Sequence, residues 1–471
     1  MGHLSGFGFV ATAAVVLAAC GSSSNHSTPP STDASPGDDA GEEAGDAGEE
    51  GSSGSIYPAF TVDAPQIRKN QGAVLTSPVV VTITWPGDTN ASSYEGFGDT
   101  IGASSYWTAT TAQYGVGPAT SGPSSHVRMN QPLPASMSYD DVTSFVAAAV
   151  QAAGTDGGVG EAGATDAGGT DAGAPDPVWP APVVDASGRG QTIYALFIPA
   201  STAVTDPGSG QSFCDLGALG YHDEVSTTSG VGVAFAVTLE CPSLSLALNE
   251  ETAAHEAVEA ATDPYTQGGP SGFSGFDANH LAWDLYTGFN DEVADACENW
   301  QDSFYQESSS FPYWVQRSWS NAGALGGHDP CAPAAAGPYH GMTLFPSQES
   351  TVKISASALG NPASNTKGFK ATLGQPLTFQ VGYFSDASAA PWKIAYDFPS
   401  SLSDDMGNTI SNGAAKVTID KATGQNGDKA NVTVTVSTKA PSGFHLMAIT
   451  WDTPTSPDFL PHYLPLLIVD E

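Results

Sequence analysis

Asn249-Glu-Glu-Thr-Ala-Ala-His255-Glu256-Ala-Val-Glu259-Ala-Ala-Thr-Asp263-Pro264 is the most informative stretch of this 471-residue chain. Ala, Glu and Val favour helix, and Pro264 disfavours helical geometry at Asp263, so the stretch predicts a helix over about 246–262. Ala253, Ala254, Ala257, Val258, Ala260 and Ala261 make nearly every other position small or apolar, the pattern of a helix packed inside a domain. The competing reading is a solvated acidic face on a surface helix. His255 and Glu259 lie four apart, so both side chains leave the same face about one turn from each other. That spacing suits two protein ligands of a single zinc ion. Glu256, next to a ligand without being one, is placed to act as general base on water held by the ion. Buried carboxylates beside an imidazole need a cation.

Upstream, 79–85 is an apolar, β-branched run closed by Pro86-Gly87, and 192–198 and 231–239 are two further strand candidates. Ser138-Tyr-Asp-Asp followed by Val142, Phe145, Val146 and Val150 reads as a capped amphipathic helix. Strands alternating with helices predict an α/β (α+β) domain over 56–340. From Thr351 the pattern changes to short alternating runs at 352–356, 377–381, 393–396, 417–419, 432–436, 446–449 and 466–469. About seven strands separated by turn residues fit an immunoglobulin-like β-sandwich over 345–471. Trp392, Tyr396, Trp451 and Tyr463 read there as core aromatics, with a sugar-stacking face as the alternative.

Charge divides the chain at the same place. Thirteen Lys and Arg stand against fifty Asp and Glu, a formal charge of −37 that repels phosphate backbones, so no nucleic acid partner is expected. Between Gln71 and Val352 the only Lys or Arg residues are Arg128, Arg189 and Arg317, while eight of the nine lysines lie from Lys353 onward.

Residues 1–16 are mostly small and apolar and lead into Leu17-Ala18-Ala19-Cys20-Gly21, which resembles the lipobox of bacterial lipoproteins. The apolar run is too short to span a bilayer, so 1–19 reads as a cleaved signal and Cys20 as the lipidated residue that anchors the chain to a membrane. The run departs from the pattern in having no Lys or Arg before it. Gly21 resembles outer-membrane sorting, giving a cell-envelope or cell-surface location. Residues 20–55 carry eight acidic residues and no Lys or Arg, and read as a disordered tether. A similar composition at 154–177 reads as a low-complexity insertion in a surface loop.

With Cys20 consumed, four cysteines remain, and an even number in an oxidising compartment predicts two disulfides. Three connectivities are open. Cys214 with Cys241 and Cys297 with Cys331 are favoured because each pair brackets one candidate functional segment.

The second of these segments, Asn290-Asp291-Glu292-Val-Ala-Asp295-Ala-Cys297-Glu298, is the best source of a third metal ligand. Glu292 is preferred over Asp295, and three ligands would leave an open coordination position. If Asp295 also binds, calcium becomes credible in place of zinc. His222 and His328 are weaker ligand candidates, each read first as a hydrogen-bonded loop histidine. Arg317 reads either as a structural ion pair or as a partner for a substrate carboxylate or developing oxyanion.

The HExxE pattern of the helix resembles the HExxH helix of zinc peptidases, with a carboxylate in place of the second imidazole. An ordered series of short motifs also resembles the secreted phosphate-induced, exordium-like family. These are the run at 79–85, Tyr106-Trp107 with Tyr114, Phe213-Cys214 ahead of Gly220-Tyr-His222, His255-Glu256-x-x-Glu259 with Thr262-Asp263-Pro264, and Glu292-x-x-Asp295-x-Cys297. The resemblance covers roughly 57–335 and implies a secreted zincin-like domain; that family has no firmly assigned reaction. The combined expectation is a lipid-anchored, metal-dependent hydrolase acting on a peptide or cell-wall polymer. The rivals are a cell-surface binding or structural lipoprotein with a structural metal site, and a sugar-binding lipoprotein led by its sandwich.

Overall fold

The computed structural model describes residues 56–153, 174–242, 244–266, 270–287, 292–354, 364–403, 409–457 and 459–471. The expected signal, lipidated Cys20, the tether, residues 154–173 of the insertion, and Asn290 and Asp291 lie outside the described residues. The fold is mixed α and β with sheet predominant, at 22% helix and 35% strand, so strand faces define most of the core.

The run that begins at Val79 forms β1 (Val79–Thr84), flanked by β2 (His126–Arg128) and β3 (Thr192–Ile198). Beyond β3 come β5 (Gly232–Leu239) and, at the edge, β4 (Gly220–Ser226). All neighbours are parallel except β4, which returns antiparallel on β5. Such a sheet needs cover on both faces, which explains why β1, β3 and β5 read as near-continuous apolar runs. Alternate residues divide between two cores. Val81, Ile83, Tyr194, Leu196, Val233, Phe235 and Val237 pack with Val142, Val146 and Val150 of a helix at Tyr139–Ala153. That helix starts on a reciprocal pair, Asp141 N–H to Ser138 Oγ and Ser138 N–H to Asp141 Oδ2. Val80, Ile193, Ala234 and Ala236 face the other way, towards a helix at Ala91–Ile101 and the helix α1 (Leu246–Thr262).

Helix α1 spans the predicted residues. Ser245 caps it by accepting the Leu248 N–H, and from Ala253 to Thr262 every residue is buried, which rules out a solvated face. Its alanines lie against Ala234 and Ala236, so the helix approaches the sheet closely.

In the carboxyl-terminal region the described residues of each of the seven expected runs lie on a strand, 355 and 356 of the first falling outside the described residues. A four-stranded sheet is ordered His340–Leu344, Pro376–Ser385, Lys429–Val436 and Ala415–Ile419. A six-stranded sheet is ordered Ser350–Ile354, Ser364–Ala371, His462–Asp470, Phe444–Trp451, Trp392–Asp397 and Thr423–Gly424. Phe369 of one stacks on Phe379 of the other at 4.4 Å, so the two share a core. Ala282 and Leu285, on a helix at Leu281–Thr287, join Phe444, Leu446 and Leu467 in a further apolar cluster. Trp392, Trp451 and Tyr463 are buried, which supports core aromatics, and Tyr396 alone of the four is exposed. Among the described residues no helix is long and apolar enough to cross a membrane.

Candidate metal centre

Helix α1 delivers His255, Glu256 and Glu259, all under a tenth exposed. His255 Nε2 lies 3.1 Å from Glu259 Oε2, the contact that the four-residue spacing predicts. The imidazole is oriented from behind. Gln316, at the end of β6 (Trp314–Gln316), gives its amide N–H to the Ala294 carbonyl at 2.8 Å, which turns its Oε1 towards His255 Nδ1 at 3.1 Å. Nδ1 therefore carries a proton, which would leave Nε2 as the nitrogen free to ligate an ion in place of its contacts to the carboxylates.

The predicted partner segment closes over the helix. The Asp295 backbone N–H donates to Glu259 Oε1 at 3.2 Å, and Asp295 Oδ1 stands 3.4 Å from His255 Nε2. The Glu292 N–H donates to Asp295 Oδ2 at 3.2 Å. Two further ties hold this segment in place: the Trp319 N–H to the Val293 carbonyl, and the Cys297–Cys331 disulfide. Cys214–Cys241 forms the second disulfide, so both favoured pairings are present.

Two further residues enter the cluster: His222, only a weaker ligand candidate in the sequence, and Glu298, which had no role there. His222 was expected in a loop, but it stands on β4, where Tyr221 and Val225 enter the core on the far face and Asp223 accepts the Tyr139 hydroxyl. Strand alternation then points His222 at α1. Its Nδ1 lies 3.6 Å from Glu256 Oε2, 3.6 Å from Glu259 Oε2 and 3.8 Å from Glu292 Oε2. Glu298 has a buried Oε2 with no hydrogen-bond partner among the described residues, and its carboxyl is pushed up to about 8 by burial, with Asp295, Glu259 and Glu256 adding to the rise against His255. The only other signal for it was its place in the acidic segment.

The electrostatics are unbalanced. Among the described residues, the ion pairs of Glu256, Glu259, Glu292 and Asp295 run only to the two imidazoles. Burial, reinforced by neighbouring carboxylates, raises Glu292 well above the ordinary range and lifts Glu256 and Asp295 too. Burial also opposes ionisation of Glu259, but the His255 and His222 charges outweigh it and hold its pKa below the usual value. Both imidazoles are lowered by burial and raised more strongly by the carboxylates, ending well above their usual pKa. Two donor groups emerge, His255 with Glu256 and Glu259, and His222 with Glu259 and Glu292; within each, one ligand atom per residue lies within 4.8 Å of the others. Tetrahedral donors 2.0–2.1 Å from zinc stand about 3.3 Å apart, so contacts of 3.1–3.8 Å suit groups converging on an ion.

The remaining candidates lie elsewhere in the hydrogen-bond network. Arg317 donates from Nε to the Asp302 carbonyl at 2.8 Å and its guanidinium lies over the Tyr305 ring. His328 pairs with Asp386 at 3.2 Å. None of the protein-family models compared with the chain matches it, and no curated protein does either.

Proposed function

We propose that the chain is an exported, lipid-anchored, metal-dependent hydrolase of zinc-peptidase type, cleaving a peptide or cell-wall polymer. The observation that carries this reading is His255 Nε2 at 3.1 Å from Glu259, with its tautomer set by Gln316 and its surroundings short of positive charge. In this scheme His255 and Glu259 hold zinc, with Asp295 or Glu292 completing the set; calcium is the alternative if carboxylates predominate. A bound zinc would act as a Lewis acid and lower the pKa of its water. Glu256 takes the proton of the attacking water and passes it to the leaving amine. A carboxylate whose pKa is raised by burial suits that exchange.

A zincin-like reading of the first region is supported by the HExxE helix packed on a mixed sheet, and an immunoglobulin-like sandwich by two facing antiparallel-rich sheets. Export fits the two disulfides. The rival is a surface lipoprotein whose ion only ties α1 to the Glu292 segment. It draws on the same contacts, since the Asp295 N–H already joins the two.

Elemental analysis of protein purified without chelator should find zinc, and His255→Ala should carry less. Glu256→Gln separates the readings. An enzyme keeps its metal and loses about 10²–10⁴-fold in turnover on peptide substrates. A wild type with bound metal and no hydrolytic activity on peptides or cell-wall polymers would leave the structural role.

A further inference from the structure

We propose that the centre is dinuclear: a second divalent cation sits beside the first, held by His222, Glu292 and Glu259, with Glu259 shared between the two ions. The proposal rests on the hydrolase reading and specifies its site. Each donor group has its own imidazole, one from α1 and one from the sheet edge, and Glu259 belongs to both. The His222 side chain is 5% exposed and its Nδ1 faces three carboxylates at 3.6–3.8 Å. Those separations are too long for hydrogen bonds and match donors arranged around a common ion. Its Nε2 is buried with no partner among the described residues, so hydrogen bonding does not account for the ring's position.

The donors also outnumber what one open-site ion takes: two imidazoles stand within 4 Å of carboxylate oxygens from Glu256, Glu259, Glu292 and Asp295. A mixed nitrogen and oxygen donor set suits zinc, manganese or cobalt. Two ions joined through one carboxylate, typically about 3.5–4 Å apart, clamp both the attacking and the leaving atom of a hydrolysis. Glu256 Oε2, 3.6 Å from His222 Nδ1 and grouped with His255, lies within reach of both positions.

The test uses the full chain, stripped with chelator and titrated with Zn²⁺ by calorimetry and with Mn²⁺ by electron paramagnetic resonance. Two equivalents of Zn²⁺ and a spin-coupled manganese signal are expected. His222→Ala and, separately, Glu292→Gln should each reduce binding to one equivalent and abolish the coupling. The second variant alters a partly exposed carboxylate and keeps the test usable if the first misfolds. Saturation of the wild type at one equivalent overturns the second site and leaves the mononuclear hydrolase standing. Two equivalents persisting in both variants overturns the ligand assignment, and no binding at all removes both proposals.

Discussion

Two histidine–carboxylate clusters in this molecule obey different charge rules. His280 lies between Asp277 at 2.8 Å and Asp63 at 3.6 Å, and Lys367 reaches Asp63 at 2.8 Å. Two carboxylates there meet two cations, one supplied by the lysine-bearing carboxyl-terminal region. Around α1, two imidazoles face four carboxylates at 3.1–3.8 Å and no lysine arrives among the described residues. The first cluster has its charges matched within the protein, although His280 Nε2 has no hydrogen-bond partner among the described residues, whereas the second is short of positive charge where desolvation makes that shortage costly.

The largest effect expected of this difference is metal-dependent stability. Zinc at about a thousand times its dissociation constant should stabilise the folded chain by about 4 kcal/mol, and chelator should reverse it. Lys367→Met should leave that metal-dependent shift intact. Breaking the Cys297–Cys331 bridge by double serine substitution should cost about 2–5 kcal/mol and weaken metal binding, read from denaturant melts with and without zinc. Gln316→Leu removes the group that sets the His255 tautomer; metal affinity should fall about 10–100-fold while the melting temperature of chelated protein changes little.

The balanced cluster should respond to pH instead. Burial lowers the His280 pKa, and Asp277 and Asp63 outweigh it and carry it from 6.5 to about 9. Its folded value is the higher one, so its stabilisation is fully present below about 6.5 and is lost as pH rises through about 9. Asp277→Asn should therefore melt a few degrees lower than wild type near pH 6, with the gap narrowing towards pH 9. The smallest effect belongs to Arg317→Gln. Loss of the Asp302 carbonyl bond and the Tyr305 ring contact should cost about 1 kcal/mol. A larger fall in kcat/KM than in stability would return Arg317 to the chemistry.

Much of this was legible in the residues themselves. Helix α1 was readable because its small residues and Asp263-Pro264 ending act locally, and the carboxyl-terminal strands because period-two alternation survives in Val432, Val434 and Val436. Ser364–Ala371 was missed since Ser, Asn, Thr, Lys and Gly obscure its alternation. His222 could not be placed on the site from spacing alone. Its position depends on an antiparallel register that sets it opposite Ala236, a pairing decided by contacts far apart in the chain. Glu292 and Asp295 were found as a pair, but which imidazole each approaches depends on how the segment settles over α1.

The bridge between Cys297 and Cys331 also bears on how firmly the candidate centre is held together. Glu292, Asp295 and Glu298 reside on a short stretch whose covalent fastening to the neighbouring strand arises only once both thiols have been oxidised. Without the bridge the acids that complete the proposed set lose their covalent lock. On the metal-binding reading, the oxidised protein should therefore grip its ions more tightly than the reduced one.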